Sequence, residues 1–459
     1  MKSLFKKIVV AALSHEARAV IRKHKPTIIA ITGSVGKTST KDATYHILAS
    51  SGVFVRKSEK SFNSEFGVPL TILGLKNAWN RPIGWIHNIF TGLAEAYPLL
   101  GSGVRAPYPK CLVLEVGADH PGDIKNLTKW LTPDIAVVTA VSKIPVHVEF
   151  FVSPEEVLQE KLALPRGVRA HGKVVLPASD PFILAVRADI PTVSCLTFAV
   201  NAEADVTASL PEIMYAEKNG REYPTGMSFT LKYLSENASV SITDVIGAQH
   251  IYSIAAAGAA ALSYGVKFAD VVASLSKYEP PRGRMNLLEG IVGSTIIDDT
   301  YNASPDAVRE ALNVLGSIKA KADTTTRKIA VLGDMMELGT FSPEEHRKAG
   351  ERASQNSDML VTVGIRARDI AEGAAAAGMS RASIHSFDTS VEAGEWLRAF
   401  LQKESIVSGD QNQVSQSTII LVKGSQSSRM ERVSYALLAD QARAADLLVR
   451  QDPEWLAKK

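Results

Sequence analysis

The stretch Ile29–Thr40, "IAITGSVGKTST", decides the fold. An apolar run from Thr27, "TIIAIT", leads straight into Gly33, and a helical segment opens at Lys37. Strand, glycine-rich turn and helix in that order are what a phosphate-binding loop requires. Its glycines let backbone N–H groups turn inward, and the helix N-terminus adds partial positive charge. The usual pattern, G-x-x-x-x-G-K-[ST], would want a glycine where Ile31 stands. Ile31 is instead the last apolar part of the strand, and the loop is a shorter one: Gly33, Ser34, Val35, Gly36, Lys37, Thr38, with Ser39 following. Lys37 is expected to reach the outer phosphates and the Thr38 hydroxyl to ligate magnesium. The alternative is a glycine turn with an exposed lysine.

Outward from this loop the chain alternates. "KTSTKDATYHILASSG" reads as a helix ending at Gly52, and "CLVLEVG", "DIAVVTAV", "GKVVLPASD" and "TVSCLTFAV" read as strands separated by helices. That is a parallel α/β sheet. Between Ala204 and Ile246 the short runs "DVTASL", "MSFTLKYL" and "ASVSITDV" predict a small antiparallel patch, followed by an alanine-rich helix that stops at Gly265. "YEPPRGRMN" breaks the pattern. After it "STIIDDTYN", "KIAVLGDM", "DMLVTVG" and "STIILVKG" start a second, Rossmann-like α/β series, with "ESIVSGDQNQVSQS" as a loop. The expected division is a basic amphipathic helix over 1–26, a P-loop ATP-binding unit over 27–282 and a C-terminal α/β unit over 283–459.

The bulk numbers narrow the classes. The 459 residues suffice for two or three domains, and 46% hydrophobic content supports ordinary cores. A net charge of +3 makes no case for a nucleic-acid binder. Cys111 and Cys195 lie in apolar runs and are expected to be reduced and buried, as in a cytoplasmic protein. At the N-terminus, "IVVAAL" is too short for a signal peptide or a membrane span. Leu4, Phe5, Ile8, Val9, Ala12 and Leu13 fall at helical spacing. The helix they form either packs on the first domain or attaches peripherally to anionic lipid. The interval 77–109 carries Trp79, Trp85, Phe90 and Tyr97. It reads as an inserted amphipathic helix whose aromatics serve the core or a partner or membrane contact.

Glu115 ends an apolar strand at the edge where doubly wound sheets bind ligands, so it can meet Lys37 there. His147 lies just past another strand and Lys161 on a following helix. By composition alone neither carries a role.

Taken in order, these pieces resemble the Mur ligase family of ATP-dependent amide ligases, and within it the MurF type. The motifs are "ITGSVGKTST", "FNSEFGVPLTIL", "LEVGADHPGDI", "GRMNLLEG", "TIIDDTYNASPDAVREAL", "IAVLGDMMELG" and "LVKGSQSSRMERV". Seven in sequence, from about Thr27 to about Leu438, are specific. The resemblance implies a ligase that activates a carboxylate, such as a UDP-muramoyl peptide, as an acyl phosphate and transfers it to a dipeptide-like amine in peptidoglycan synthesis. It implies ATP and Mg²⁺ as cofactors. Lys37, Glu115, His147, Lys161 and Arg284 would be catalytic. Thr38, Glu115, His147 and a carbamylated Lys161 would hold magnesium. Arg284 would meet the γ-phosphate, Asp299 the ribose and His250 the adenine. Asn63, Asn302, Lys423 and Ser425 would face the substrates. Gln249, His250 and Ser253 stand where the family carries a different adenine set. Only about 32 residues precede Gly33, too few for the family's UDP-binding domain. The expectation is therefore that 77–109 or a partner subunit holds the UDP end. Two other readings stay open: the same chemistry on another carboxylate, and a nucleotide-binding partner protein that does not ligate.

Overall fold

A computed structural model describes residues 2–59, 62–79, 81–97, 107–218, 221–319, 326–407 and 417–457. Its first unit is built on a ten-stranded sheet. The strands are β1 (Thr27–Thr32), β2 (Val55–Lys57), β3 (Cys111–Glu115), β4 (Ile135–Val138), β5 (Lys173–Pro177), β6 (Ser194–Val200), β7 (Val206–Ala208), β8 (Glu212–Lys218), β9 (Arg221–Tyr233) and β10 (Glu236–Thr243). The order is β10-β9-β7-β6-β5-β4-β1-β3-β2, with β8 paired to β9. Strands β2 to β7 and β1 run parallel, and β8, β9 and β10 add antiparallel pairs. The antiparallel patch expected over 204–246 is thus a continuation of the main sheet. It also contains β8, which the polar texture of "EIMYAEK" concealed.

β1 is buried along five of its six residues and lies between β3 and β4. Ile31 stands beside Glu115, and Thr32 beside Val138. The chain moves to one side of β1 for β2 and β3, then crosses to the other for β4 and β5. The crevice at the carboxyl end of β1 is therefore a topological switch point, where open α/β sheets bind ligands.

The second unit is a six-stranded sheet of β11 (Asn286–Glu289), β12 (Thr295–Asp299), β13 (Thr326–Gly333), β14 (Met359–Val363), β15 (Ile384–Phe387) and β16 (Ser417–Lys423), in the order β11-β12-β16-β13-β14-β15. Only β11 is antiparallel to its neighbour. The helix Pro305–Ser317 starts after β12, and the Ser304 side chain caps it by accepting from Ala307 N. Of the segment expected as a loop before β16, residues 404–407 finish the helix Ser390–Val407, and 408–416 lie outside the described residues. Cys111 is buried, but Cys195 is only half-buried; both are free thiols.

The first helix spans Lys2–His24. It buries Val9, Leu13, Ala17 and Val20, at spacings of three and four residues. Phe5 and Ile8, expected on that same apolar face, are exposed instead. A second helix, Pro82–Ala96, packs along it, within the 77–109 interval. Residues 80 and 98–106 of that interval lie outside the described residues. Gly92 is the close-approach point: a Cβ there would come 2.1 Å from Glu16 Oε2.

Glu16 is buried between these helices, and its Oε2 has no hydrogen-bond partner among the described residues. Burial pushes its carboxyl up to about 7. A raised carboxyl favours folding where it is protonated. Stability is fully present below the ordinary value of 4.5 and is lost as pH rises through about 7. Glu16→Gln is expected to stabilise the fold by about 2–3 kcal/mol at pH 8 and by less than about 1 kcal/mol at pH 5. Urea unfolding at the two pH values measures this. An equal change at both would rule out ionisation as the cause.

Candidate active site

The loop after β1 is held by the end of β4. Ser34 N donates to Ala140 O at 2.8 Å, and the Thr139 hydroxyl donates to Val35 O at 2.7 Å. The approach is so close that a Cβ on Gly33 would lie 1.9 Å from Thr139 Oγ1. Gly36, at φ +87°, is the N-cap of the helix Lys37–Ser50 and turns the chain into it. Two glycines, one required by β4 and one by the helix start, define the shorter loop.

Lys37 Nζ donates to Gly33 O at 2.8 Å and to Ser34 O at 3.3 Å. Burial pushes its amine below the usual lysine range, while the Glu115 charge opposes that shift. The Thr38 hydroxyl donates to Glu115 Oε1 at 3.2 Å. Glu115 Oε2 makes no hydrogen bond among the described residues and lies 3.5 Å from the buried Lys41 Nζ. Ser58 Oγ accepts from Glu115 N at 3.1 Å and fixes the strand end.

A hydroxyl and a partly unsatisfied carboxylate at a phosphate loop fit a magnesium ion. Among the described residues no three His, Cys, Asp or Glu side chains converge as a ready-made cage. Mg²⁺ suits such a site, because it takes few protein ligands and completes its shell with phosphate oxygens and water.

These groups line a cavity of about 640 Å³ between the two units. The first unit contributes Lys37, Thr38, Asn63, Glu115 and His147, and the second contributes Arg284, Asn302 and Ser425. Ser34 and Gly36 line it as well, and the Ser34 hydroxyl is buried without a partner among the described residues. His147, at φ +69°, lies 2.8 Å from Glu337 Oε2 across the cleft and 3.6 Å from Asp119 Oδ1. The contact with His147 lowers the Glu337 carboxyl.

A second cavity, of about 630 Å³, lies on the other side of the loop wall. Ser39, Gln249, His250, Ser253, Arg284 and Asp299 line it. Val35, Gly36 and Arg284 border both cavities. Arg284 lies over the Tyr301 ring at 4.1 Å, and its Nε is buried without a hydrogen bond among the described residues. A guanidinium left unsatisfied between two cavities suits an anion that reaches both. His250 Nε2 lies 2.7 Å from Arg284 O. Burial pushes this imidazole down to about 4, so it is neutral near pH 7 and Nε2–H donates to that carbonyl. His250 therefore fastens the Arg284 backbone, whereas Gln249 Oε1 and Ser142 Oγ, like Arg284 Nε, line this cavity without a hydrogen bond among the described residues.

Asp299 Oδ2 accepts from Lys423 Nζ at 2.6 Å, and Asn302 O accepts from the same ammonium at 3.0 Å. Both charged partners are buried. Ser425 Oγ accepts from Met336 N at 3.0 Å. Lys161 is buried on the helix Pro154–Arg166 and is not among the residues lining either cavity. Its neighbour Glu160 accepts from Gly122 N, Ile124 N and Lys125 N at 2.6–3.0 Å. That clamp ties its helix to the loop that carries Asp119. Burial, reinforced by the Lys37 charge, pushes the Lys161 amine down to about 7.

Sequence reasoning missed Lys41, Thr139, Asp119 and Glu337. Lys41 was open to discovery, one helical turn after Lys37. Asp119 and Glu337 lie inside the motifs "LEVGADHPGDI" and "IAVLGDMMELG" without having been singled out, whereas Thr139 acts through tertiary approach and carries no local signal.

Residues 102–261 match the Mur ligase middle domain, and 283–426 match the Mur ligase glutamate ligase domain. A UDP-N-acetylmuramoyl-tripeptide--D-alanyl-D-alanine ligase of Mycobacterium tuberculosis (strain ATCC 25618 / H37Rv) is 32% identical over 449 residues, spanning 94% of this chain and 77% of that protein. The Bacillus subtilis (strain 168) protein of the same name is 25% identical over 425 residues, spanning 92% of this chain and 78% of its own. Among solved structures, MurF from Acinetobacter baumannii superposes with a TM-score of 0.69 at 25% identity, covering 93% of this chain and 79% of that one. MurF ligase from Thermotoga maritima in complex with ADP does so with a TM-score of 0.69 at 24% identity, covering 93% and 83%.

Proposed function

This chain belongs to the Mur ligase family, and from that premise we propose that it joins D-alanyl-D-alanine to a UDP-muramoyl tripeptide in peptidoglycan synthesis, in the cytoplasm. It is an ATP-dependent ligase that forms C–N bonds. The observation that carries the reading is the cavity between the units, where Lys37, Thr38 and Glu115 face Arg284, Asn302 and Ser425.

The substrate carboxylate attacks the γ-phosphorus of ATP, ADP leaves, and an acyl phosphate forms. The amine then attacks the acyl carbon, loses a proton and expels phosphate. The protein's part is positioning and charge neutralisation. Lys37 and Arg284 would meet the phosphates from opposite sides. Ser34, Val35 and Gly36 would wrap them, and Ser39, Gln249 and Asp299 would border the nucleoside. Thr38, Glu115, His147 and Lys161 would hold magnesium, which supplies charge neutralisation at the phosphate oxygens when bound.

For Lys161 the reading includes a carbamate. A neutral lysine amine adds to carbon dioxide and releases a proton, and an amine pushed down to about 7 by burial is substantially neutral at physiological pH. The product is an anion, which suits a cation site. Asn63, Asn302 and Ser425 would face the substrates. Lys423 acts one step back, since its ammonium is bound by Asp299 and Asn302 O.

Phosphate release from ATP tests the reading, with a panel of UDP-muramoyl peptides and amines. Release is expected only when a UDP-muramoyl tripeptide and D-alanyl-D-alanine are both present. Turnover with a different carboxylate alone would replace this substrate assignment and leave the ligase chemistry intact.

A further inference from the structure

The helix Pro82–Ala96 is apolar on two opposite faces. Trp85, Ile89, Gly92 and Ala96 face inward, Trp85 against Phe66 with ring centroids 5.2 Å apart. On the outer side Ile83, Ile86, Phe90, Leu93 and Tyr97 form a continuous ridge at helical spacing. Ile83 is 82% exposed and Phe90 66%. The helix carries a single charged residue, Glu95. The exposed His87 and Thr91 flank this ridge, so the apolar stripe is bounded by polar residues, and a contiguous exposed apolar stripe of this kind marks an interaction surface. Phe5 and Ile8 of the adjoining first helix are exposed too.

The surroundings indicate what covers this ridge. Residues 2–25 contain seven Lys and Arg against one acidic residue, the buried Glu16, in a chain whose net charge is only +3. Lys6, Lys7, Lys23 and Lys25 are exposed. Lys23 Nζ donates to Glu95 O at 3.0 Å, and Lys6 lies over Phe66, the ring packed on Trp85, while paired at 2.6 Å with the exposed Glu65, an ion pair that a lipid phosphate would have to replace. Cations therefore stand at both ends of the apolar helix. Exposed aromatics mark both ends as well, Trp79 before it and Tyr97 after it. Apolar ridge, flanking lysines and terminal Trp and Tyr are the make-up of a helix lying in the plane of a lipid interface. A second copy fits poorly, because a twofold contact sets the same patch against itself and brings the two basic helices together. None of the described helices is long and apolar enough to cross a membrane.

We propose that this face docks on an anionic lipid bilayer, with the Ile83–Tyr97 ridge entering the headgroup boundary and the first-helix lysines meeting lipid phosphates. The proposal is independent of the substrate assignment.

Flotation of the full chain with vesicles tests it. The chain is expected to float with phosphatidylcholine vesicles containing about a third phosphatidylglycerol. Binding is expected to be at least about fivefold weaker to pure phosphatidylcholine, and likewise on raising NaCl to about 0.5 M. Ile86→Glu with Phe90→Glu is expected to weaken binding at least about tenfold with an unchanged melting temperature. Should that pair fail to fold, Ile83→Glu, at the most exposed position, is read the same way. The proposal is overturned by absence of binding to anionic vesicles, or by full binding of a folded ridge variant. A wild-type dimer in light scattering that Phe90→Glu splits would also overturn it, by assigning the face to a second copy.

Discussion

Lys37→Met is expected to lower ATP-dependent turnover about a thousandfold, equivalent to about 4 kcal/mol of transition-state stabilisation. The cause is specific to its position. The Lys37 amine lies at the turn of the loop, 2.8 Å from Gly33 O, in a cavity it shares with Glu115 and Arg284. In the proposed reaction negative charge builds on the transferring phosphoryl group, and Lys37 is the loop's own cation. Arg284 comes from the other unit and cannot replace it, since its guanidinium lies over Tyr301 at the border of both cavities. Methionine keeps the length and the apolar stem while removing the charge. Because burial already disfavours the ammonium, its loss is expected to leave the melting temperature unchanged or slightly raised. Steady-state phosphate release, with thermal melting as the fold control, measures both. Turnover within about tenfold of the wild type would remove Lys37 from the reaction.

Lys161→Ala is expected to cost about a hundredfold or more in turnover, with partial recovery on adding a short carboxylate such as acetate. A plain lysine ammonium is poorly suited to this buried position, where the Lys37 charge repels it. A carbamate would reverse that sign. The alanine variant opens a space in which a free carboxylate can stand in for the missing anion. Rescue separates this role from a structural one, because a merely destabilised variant would not respond to acetate. Full activity of Lys161→Ala without added carboxylate would show the carbamate assignment to be wrong.

Much of this was legible in order along the chain. "TIIAITGSVGKTST" announced a buried strand, a turn and a helix, because apolar residues, glycines and a helical run follow one another without interruption. Strands β3 to β6 and β12 to β14 were readable as short apolar runs for the same reason. β8 was not, since an antiparallel strand with one face toward water has no continuous apolar signature. The first helix was recognised, but its buried face only in part: Val9 and Leu13 are buried as expected, while Phe5 and Ile8, with equal claims by spacing, are exposed. The partner helix Pro82–Ala96 chose Val9, Leu13, Ala17 and Val20.

The sequence by itself determined the local chemistry. Lys37 and Thr38 follow a glycine turn at Gly33 and Gly36, and Glu115 stands near the end of an apolar run that Gly117 interrupts. Tertiary structure decided which distant groups meet. Glu115 is 77 residues from Thr38, yet its carboxylate accepts the Thr38 hydroxyl because β3 pairs with β1 in register. Arg284 borders the phosphate loop because the second unit folds over the first, and His250 reaches its carbonyl from the first turn of the helix Ala248–Tyr264. Short-range steric preferences are written residue by residue. Register, burial and the approach of two sheets depend on the whole chain at once, so they were settled only in the folded protein.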